Sequence, residues 1–339
     1  MIACVEKLIS KQDLSSEESA ALLSALTDPK AEPALVGAAL AALRAKGETG
    51  EEIRGFARAM LAQAVRVDFD RDDAVDIVGT GGDGSNSLNL STGAALLTAA
   101  CGTRVVKHGN RAVSSRSGSA DVLEALHYRI PQSPDEAGDA FRRTGFTFLF
   151  APTYHPALSA LRTVRRALGI RTIFNILGPL INPARPPYAV IGTPNREIAR
   201  LMADAITGMD FRRVFVVHGA NDWDEPTPLG PFTIVKVCGG DVRVEHRDPA
   251  DFGLRRCRTD ELAGGDASYN AARLRDAFAG EKGAHRDALL LGAALALEVT
   301  GRVTEFGEGL AIAVETLDSG AAVEFLDGLT ERAGGSPRG

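Results

Sequence analysis

Residues 75–92 read VDIVGTGGDGSNSLNLST, and this stretch decides the fold class. Apolar and β-branched residues at 75–78 predict a strand, the glycines after them predict a tight turn, and Asn89, Ser91 and Thr92 predict a helix start. Backbone N–H groups of such a turn, with the helix N-terminus, can hold phosphate oxygens. The stretch matches neither a Walker loop nor a dinucleotide-binding fingerprint. A turn before a capped helix, without any ligand, explains the same residues.

Outward from this stretch, short apolar clusters alternate with helical segments. This alternation predicts an α/β domain with a mostly parallel central sheet. A hairpin is predicted around Gly239-Gly240-Asp241, between strands at 233–237 and 242–245. The remaining strands are predicted at 75–78, 104–106, 146–150, 189–191 and 214–217, and helices at 91–101, 120–126, 134–144 and 157–168.

The start of the chain is different, because residues 1–68 contain no convincing strand and predict four short helices. Ser15 and Glu18 form a predicted capping box, Pro33 opens an Ala-rich helix, and Gly47 ends it. After the hairpin the chain is again mostly helical, and a Gly/Pro-rich flexible tail is predicted at 334–339. The fold class is therefore a small all-helical domain plus a larger α/β domain.

Composition narrows the possible functions. The chain has 339 residues, 45% of them hydrophobic and 24% charged, which is ordinary for a globular protein. A formal net charge of −6 argues against nucleic acid as the main partner, because phosphate backbones require a basic face. The four cysteines are far apart and predict neither a zinc knuckle nor a disulfide framework. With no run of about 20 apolar residues, we expect no contact with membranes and a cytoplasmic location.

A second polar stretch, KHGNR at 107–111, follows the strand predicted at 104–106 and continues into SSRSGS at 114–119. Cations, an amide, hydroxyls and glycines after a strand form a polar cradle at the carboxyl edge of the sheet, where open α/β folds bind ligands. The alternative is a solvated basic loop that caps the next helix. We favour the ligand cradle because of this mixture of groups at that edge.

Asp224 and Glu225 follow the strand predicted at 214–217 and a short loop. Adjacent carboxylates suit Mg²⁺, which takes one or two carboxylates plus substrate oxygens and keeps several waters. Acidic pairs are also common on solvated turns. With a phosphate cradle predicted in the same chain, a metal-bridged phosphate is the better account.

Arg165 lies on the helix predicted at 157–168. A guanidinium can bind a carboxylate through two parallel hydrogen bonds, which a flexible ammonium cannot do. The alternative is a surface arginine on a basic helix face shared with Arg162 and Arg166, and the spacing alone favours that alternative.

Together these motifs resemble those of the anthranilate phosphoribosyltransferases, enzymes that join phosphoribosyl pyrophosphate to anthranilate. The resemblance covers nearly the whole chain and is weakest over the first 70 residues. The motifs that stand in the family's order are GTGGD at 79–83, NLST at 89–92, KHGNR at 107–111, SGSADVLEAL at 117–126, FAP at 150–152, YHP at 154–156, GIRTIFN at 169–175, GP at 178–179, DFGL at 251–254, GGD at 264–266, and Asn270.

The resemblance implies a fold like that of the class III nucleoside phosphorylases. A helical domain is implied at residues 1–70, which helices from about 156–185 would join, and an α/β domain at 71–155 and 186–333. A homodimer is also implied, with contacts between the helical domains.

The implied reaction is Mg²⁺-dependent transfer of the 5-phosphoribosyl group to the amine of anthranilate, with release of pyrophosphate, in tryptophan biosynthesis. Ser91, Asp224 and Glu225 would bind two Mg²⁺ per subunit. The implied catalytic residues are Lys107, His108, Asn110 and Arg165, the last of them near the carboxylate of anthranilate. The implied substrate-binding residues are Gly79, Thr80, Gly82, Asp83, Ser87, Asn89, Leu90, Ser91, Thr92, Lys107, His108, Gly109, Asn110, Ser114, Ser115, Ser119 and Arg165.

Two departures from the family pattern affect loop shape. Asn221-Asp222-Trp223 replaces the usual Asp-Gly-Leu before the acidic pair, and Pro226 follows it. His127 stands where the family usually has glycine. The rival hypotheses are a pyrimidine nucleoside phosphorylase, which would need no tandem acidic pair, and a nucleic-acid-binding protein that kept the fold, against which the negative net charge speaks.

Overall fold

The structure, a computed structural model, describes residues 1–112 and 116–331. Two of the predicted substrate-binding residues, Ser114 and Ser115, and the predicted tail at 334–339 lie outside the described residues. Across the two described ranges, every helix is too short or too polar to span a bilayer.

Helices form both ends of the described chain. The predicted capping box at Ser15 and Glu18 is confirmed, because Ser15 accepts a hydrogen bond from the backbone N–H of Glu18 and Glu18 bonds back. A second capping box, of Thr49 with Glu52, was not predicted. The α-helices are α1 (Ile2–Ile9), α2 (Ser16–Leu26), α3 (Pro33–Lys46), α4 (Gly50–Ala62), α5 (Leu90–Ala100), α6 (Ser119–Ala125), α7 (Pro134–Thr144), α8 (Ala151–Tyr154), α9 (Arg162–Leu168), α10 (Arg196–Thr207), α11 (Ala267–Phe278), α12 (Ala284–Thr300), α13 (Phe306–Asp318) and α14 (Ala321–Glu331). Short 3₁₀ helices lie at Pro156–Leu161, Ile173–Asn175, Gly178–Leu180, Ala220–Asp222, Pro249–Phe252 and Thr259–Leu262.

One seven-stranded sheet forms the centre, with the order β3-β2-β1-β4-β5-β6-β7. The first five of its strands in chain order are parallel, and β6 and β7 add an antiparallel hairpin at one edge. The predicted mostly parallel sheet and the predicted hairpin are therefore confirmed. The strands are β1 (Val75–Gly79), β2 (Val105–Gly109), β3 (Phe146–Phe150), β4 (Tyr188–Gly192), β5 (Arg213–His218), β6 (Phe232–Cys238) and β7 (Asp241–Arg247).

The two faces of the sheet bury different cores. Val75, Ile77 and Phe215 pack on one face against α5, α11 and α12. Ile191 and Val216 point to the other face and share a core with α1–α4, α10 and the segment 161–181. The predicted all-helical domain at the start of the chain is therefore confirmed, and it packs on one side of the sheet of the larger α/β domain.

Two local predictions are wrong. Strand β2 does not end at 106 but continues to Gly109, so Lys107 and His108 lie inside the strand rather than after it. The helix predicted at 157–168 is α-helical only from Arg162, because residues 156–161 form the tighter 3₁₀ turn. Both differences change which backbone groups surround the predicted site residues.

The departures from the family pattern fall on backbone that favours glycine. His127 has φ 66°, and Asp222 has φ 60°, next to Asn221 at φ 58°. Residues other than glycine adopt this left-handed region at a cost of roughly 1–2 kcal/mol. The chain accepts that cost at the end of α6 and in the loop before the acidic pair.

Candidate active site

Three loops at the carboxyl edge of the parallel strands carry many of the predicted site residues. The loop after β1 carries the glycines, the loop after β2 carries Asn110, and the loop after β5 carries Asp224 and Glu225. Neighbouring parallel strands deliver such loops to one side of the sheet, where α/β folds bind ligands. The structure thus brings together motifs that are 145 residues apart in sequence, from Thr80 to Glu225.

The acidic pair is bound to the backbone of the first loop and of the next helix. The N–H of Gly81 donates to Asp224 Oδ2 at 2.7 Å, and the N–H of Ser91 donates to Glu225 Oε1 at 2.8 Å. The N–H of Asp224 donates to Asp83 Oδ2 at 3.5 Å. Each carboxylate is therefore aimed at the glycine loop or at the start of α5.

Two glycines make this close approach possible. A Cβ at Gly79 would lie 2.4 Å from Asp224 Oδ2, and a Cβ at Gly192 would lie 1.6 Å from the carbonyl oxygen of Asp224. Neither distance is compatible with a side chain. Both positions therefore require glycine because another part of the chain occupies the space.

The electrostatics of the pair favour bound cations. Burial, and after it the neighbouring charge of Asp83, raises the pKa of Asp224 to about 7. Burial and the charges of Asp224 and Asp83 also raise the pKa of Glu225 well above its usual value. Desolvated carboxylates that face one another are costly unless protons or cations neutralise them.

This donor set fits Mg²⁺ better than a transition metal. Two carboxylates and the hydroxyl of Ser91 are oxygen ligands, which Mg²⁺ prefers, and it keeps waters and takes substrate oxygens for the rest. In residues 1–112 and 116–331, no cluster of three or more His, Cys, Asp or Glu has the arrangement of a complete metal cage. A site with few protein ligands is what Mg²⁺ bound through a phosphorylated substrate needs.

Lys107 and His108 are consecutive residues of β2, and both are buried. Lys107 Nζ donates to the carbonyl of Ile77 in β1 at 2.5 Å. Burial lowers the pKa of Lys107, and the charges of Asp76 and Glu225 act in the opposite direction. The ammonium therefore lies between the two strands, close enough to Glu225 to feel its charge.

His108 is held as a neutral imidazole. Its Nδ1 lies 3.3 Å from the carbonyl of Gly178, and its ring meets that of His155 edge-on with centroids 5.2 Å apart. Burial and the neighbouring His155 lower the pKa of His108 to about 3. Because only a protonated Nδ1 can bond a carbonyl, Nε2 is the acceptor, and this buried atom has no partner in the described residues.

An amide chain supports the start of α5. Asn89 Nδ2 donates to the carbonyl of Ser117 at 3.0 Å, and Asn270 Nδ2 donates to Asn89 Oδ1 at 2.8 Å. Ser119 Oγ donates to the carbonyl of Asn110 at 3.1 Å. The loops after β1 and β2 are thereby tied to each other and to the beginning of α11.

Other predicted residues take less direct positions. Leu90 and Thr92 are buried in α5, so Leu90 can meet a ligand only through its backbone. Arg165, half-buried on α9, places its guanidinium carbon 5.1 Å from the ring centroid of Phe174. In the described residues it makes no hydrogen bond to another predicted site residue.

Sequence reasoning missed three groups in this region. Asp76 in β1 and Asn182 in the segment after α9 are almost fully buried, and Arg171 Nη2 donates to the carbonyl of Gly81 at 2.8 Å. A charged residue inside an otherwise apolar strand is the available signal for Asp76. Arg171 belongs to the GIRTIFN motif at 169–175, which carries the family resemblance but no chemical signal of its own. The residues around Asn182 give no sequence signal for its role.

Comparison with known proteins gives the same family throughout the chain. The family described as "Glycosyl transferase family, helical bundle domain" matches residues 2–64, and "Glycosyl transferase family, a/b domain" matches residues 71–323. An anthranilate phosphoribosyltransferase of Desulforudis audaxviator is 44% identical over 327 residues, covering 96% of this chain and 94% of its own. That of Brevibacillus brevis is 42% identical and covers 98% and 97%.

Solved structures agree with these relatives. The anthranilate phosphoribosyltransferase of Thermus thermophilus superposes with a TM-score of 0.90 at 40% identity, covering 97% of this chain and 98% of its own. The Saccharomyces cerevisiae enzyme in complex with PRPP and Mg superposes with a TM-score of 0.88 at 28% identity, covering 97% and 96%. The similarity therefore extends over both the helical and the α/β parts.

Proposed function

The chain belongs to the anthranilate phosphoribosyltransferase family, and on that premise we propose which of its residues carry out the family's reaction. It is a pentosyltransferase that moves the 5-phosphoribosyl group of phosphoribosyl pyrophosphate to the amine of anthranilate and releases pyrophosphate, in tryptophan biosynthesis. The observation that carries the assignment of residues is the pair of hydrogen bonds from Gly81 and Ser91 to the acidic pair.

Phosphoribosyl pyrophosphate binds between the loops after β1 and β2. The backbone around Gly79 and Gly82 and the N-terminus of α5 supply N–H groups for its phosphates. Asp83, Ser87 and Asn89 follow in the same loop after β1, and Lys107 supplies a positive charge. Thr80, Ser91, Thr92, Gly109 and Ser119 complete the described part of this set.

Ser91, Asp224 and Glu225 hold two Mg²⁺ per subunit. What supports this is the desolvated acidic pair, whose charges have no salt bridge in the described residues. When bound, the metal neutralises charge on the pyrophosphate and so makes it a better leaving group.

Anthranilate lies between His108, Asn110 and Arg165. Arg165 takes its carboxylate through a bidentate pair, and His108 Nε2 accepts a hydrogen bond from its amine. An imidazole with so low a pKa is a poor base, so His108 orients the amine rather than deprotonating it. Alignment of the amine with the anomeric carbon supplies much of the roughly 7–11 kcal/mol available from proximity, and no covalent intermediate is needed.

The subunits pair through their helical domains as a cytoplasmic homodimer. Ile2 and Ile9 on α1 support this, because these two large apolar side chains are 67% and 64% exposed. The helical domain comprises 1–70 with helices from 156–185, and the α/β domain comprises 71–155 and 186–333.

The test mixes purified protein with anthranilate, phosphoribosyl pyrophosphate and Mg²⁺ and follows the loss of anthranilate fluorescence. Signal loss that requires all three components, with release of pyrophosphate, supports the proposal. Other aminobenzoates test selectivity. Phosphate-dependent release of base from thymidine or uridine, without loss of anthranilate, would instead identify a nucleoside phosphorylase.

A further inference from the structure

Strands β1 and β2 part from each other where they approach the site. In the described part of the chain they share one register pair, Val75 with Val105, whereas β1 is paired with β4, and β2 with β3, along five positions each. After Val75, the backbone N–H and C=O groups of β1 and β2 that do not bond each other need other partners, because buried N–H and C=O groups are rarely left unpaired.

Three side chains supply those partners. Lys107 Nζ donates to the carbonyl of Ile77, as described above. The N–H of His108 donates to Asp76 Oδ1 at 3.3 Å. Asn182 Nδ2 donates to the carbonyl of Val106 at 2.9 Å. The gap between the strands is therefore filled by polar side chains of both strands and of the segment after α9.

Asp76 and Asn182 form one unit in this gap. Asn182 Nδ2 also donates to Asp76 Oδ2 at 2.9 Å, and Asn182 Oδ1 accepts from the N–H of Ala184 at 3.0 Å. Asp76 is 1% exposed and Asn182 is 4% exposed. Neither side chain can turn to water, so their hydrogen bonds fix the backbone on both sides of Lys107.

Asp76 also supplies negative charge near Lys107. A buried ammonium needs a nearby negative charge. Two carboxylates act on Lys107, those of Asp76 and Glu225, and Glu225 is assigned to the metal. Of these two carboxylates, Asp76 is the one that also bonds the backbone of the strand that carries Lys107.

We infer that Asp76 and Asn182 are positioning residues for phosphoribosyl pyrophosphate binding: they hold β1 and β2 apart and fix the charged Lys107 between them. This inference rests on the proposed function, which assigns Lys107 to that substrate. Neither residue touches a substrate in this account, and both act through the strand that carries Lys107 and His108.

The test uses the full-length protein with Asp76→Asn and Asn182→Ala. Asp76→Asn keeps the size of the side chain but removes its charge. If the new amide oxygen accepts from the N–H of His108, the new amide N–H₂ must face the N–H₂ of Asn182, so one of the two hydrogen bonds is lost. We expect each variant to raise the KM and the calorimetric Kd for phosphoribosyl pyrophosphate by about tenfold or more. The KM for anthranilate at saturating phosphoribosyl pyrophosphate should rise less than the KM for phosphoribosyl pyrophosphate, because Asp76 bonds the N–H of His108 but not its ring.

Ser133→Ala is the matched control for loss of stability, because it removes the cap of α7 without touching the gap. Ser133→Ala should leave the KM and the calorimetric Kd for phosphoribosyl pyrophosphate at wild-type values. The double variant Asp76→Asn/Asn182→Ala should weaken substrate binding by less than the product of the two single effects, because both changes remove the bond between the two side chains. Additive effects would show that the two residues do not act as a unit.

Lys107→Met separates the inference from the function. If Lys107→Met weakens binding of phosphoribosyl pyrophosphate but folded Asp76→Asn and Asn182→Ala do not, the positioning role is wrong and the proposed function stands. If Lys107→Met binds as well as wild type, the inference is wrong together with the role assigned to Lys107. Absence of transfer by the wild-type protein would overturn the function itself.

Discussion

The two sides of the site hold their polar groups in opposite ways. Asp83, Asp224 and Glu225, the acidic corner, gather negative charge that no salt bridge reaches in the described residues, and the pKa values of the pair are raised. On the other side, which we call the imidazole side, burial lowers the pKa of His155 to about 4, so His155 is neutral like His108, and each ring bonds a backbone carbonyl.

This difference indicates which side depends on a ligand for its stability. The acidic corner is electrostatically incomplete until cations bind, as expected of a metal site. The imidazole side needs no ligand to satisfy its charges, so its role is to present a preformed surface. Variants of the two sides should therefore differ in their response to Mg²⁺.

The largest effect is expected from Asp224→Asn with Glu225→Gln. Loss of both metal-binding carboxylates should lower the transfer rate by about a thousandfold or more, because the charge of the leaving pyrophosphate is no longer neutralised. Binding of anthranilate, measured by fluorescence, should be largely unchanged. Asp260→Asn, on an exposed turn, is the control and should be fully active. Equal activity of the double variant at saturating Mg²⁺ would contradict the metal assignment.

Gly192→Ala should break the acidic corner without changing any charged group. The added methyl would overlap the carbonyl of Asp224, so the loop must move. We expect a stability loss of about 2 kcal/mol and a transfer rate lower by about a hundredfold. Urea unfolding measures the loss of stability, and initial rates measure the loss of transfer activity. Gly240→Ala, whose added methyl would meet nothing within 4 Å, is the matched control, and an active Gly192→Ala enzyme would show that the corner tolerates displacement.

The pH dependence of stability should sharpen the comparison. The pKa of Asp224 is about 7 in the folded protein against 3.8 unfolded, so the folded state binds more protons, and metal-free stability falls as pH rises from about 4 to 7. Mg²⁺ should remove this loss. The gain in melting temperature on adding Mg²⁺ should thus be small at pH 5 and larger at pH 8. In the variant with Asp224→Asn and Glu225→Gln, the gain should be absent at both pH values. A gain independent of pH would refute the raised pKa.

The smallest of these effects is expected at Arg165, to which we assign the carboxylate of anthranilate. Arg165→Ala should raise the KM for anthranilate by about tenfold, the loss of one charged contact, while the Mg²⁺ dependence stays unchanged. Arg165→Lys should restore little, because an ammonium cannot form the bidentate pair. Arg166→Ala, its exposed neighbour, serves as the control. An unchanged KM in Arg165→Ala would remove Arg165 from the anthranilate site.

Sequence patterns predict the sheet because alternating clusters and turn residues are local signals. They also predict that Asp224, Lys107 and the glycine loop meet, because loops at one sheet edge converge. They do not show that β1 and β2 part, since the partner that fills the gap, Asn182, comes from a segment 75 residues after Lys107. The left-handed backbone at Asp222 is also not predicted from the residue, because aspartate adopts this conformation only uncommonly.

The core shared by the first helices and the segment 161–181 has a consequence for biosynthesis. Helix α4 ends at Ala62, whereas Leu161 and Ile173, which complete the same core, leave the ribosome roughly a hundred residues later. The nascent α1–α4 therefore emerges with apolar surface that its own residues do not cover. Chaperone contact during translation should concentrate on this interval, and an isolated fragment 1–64 should bind hydrophobic dyes that the complete chain excludes.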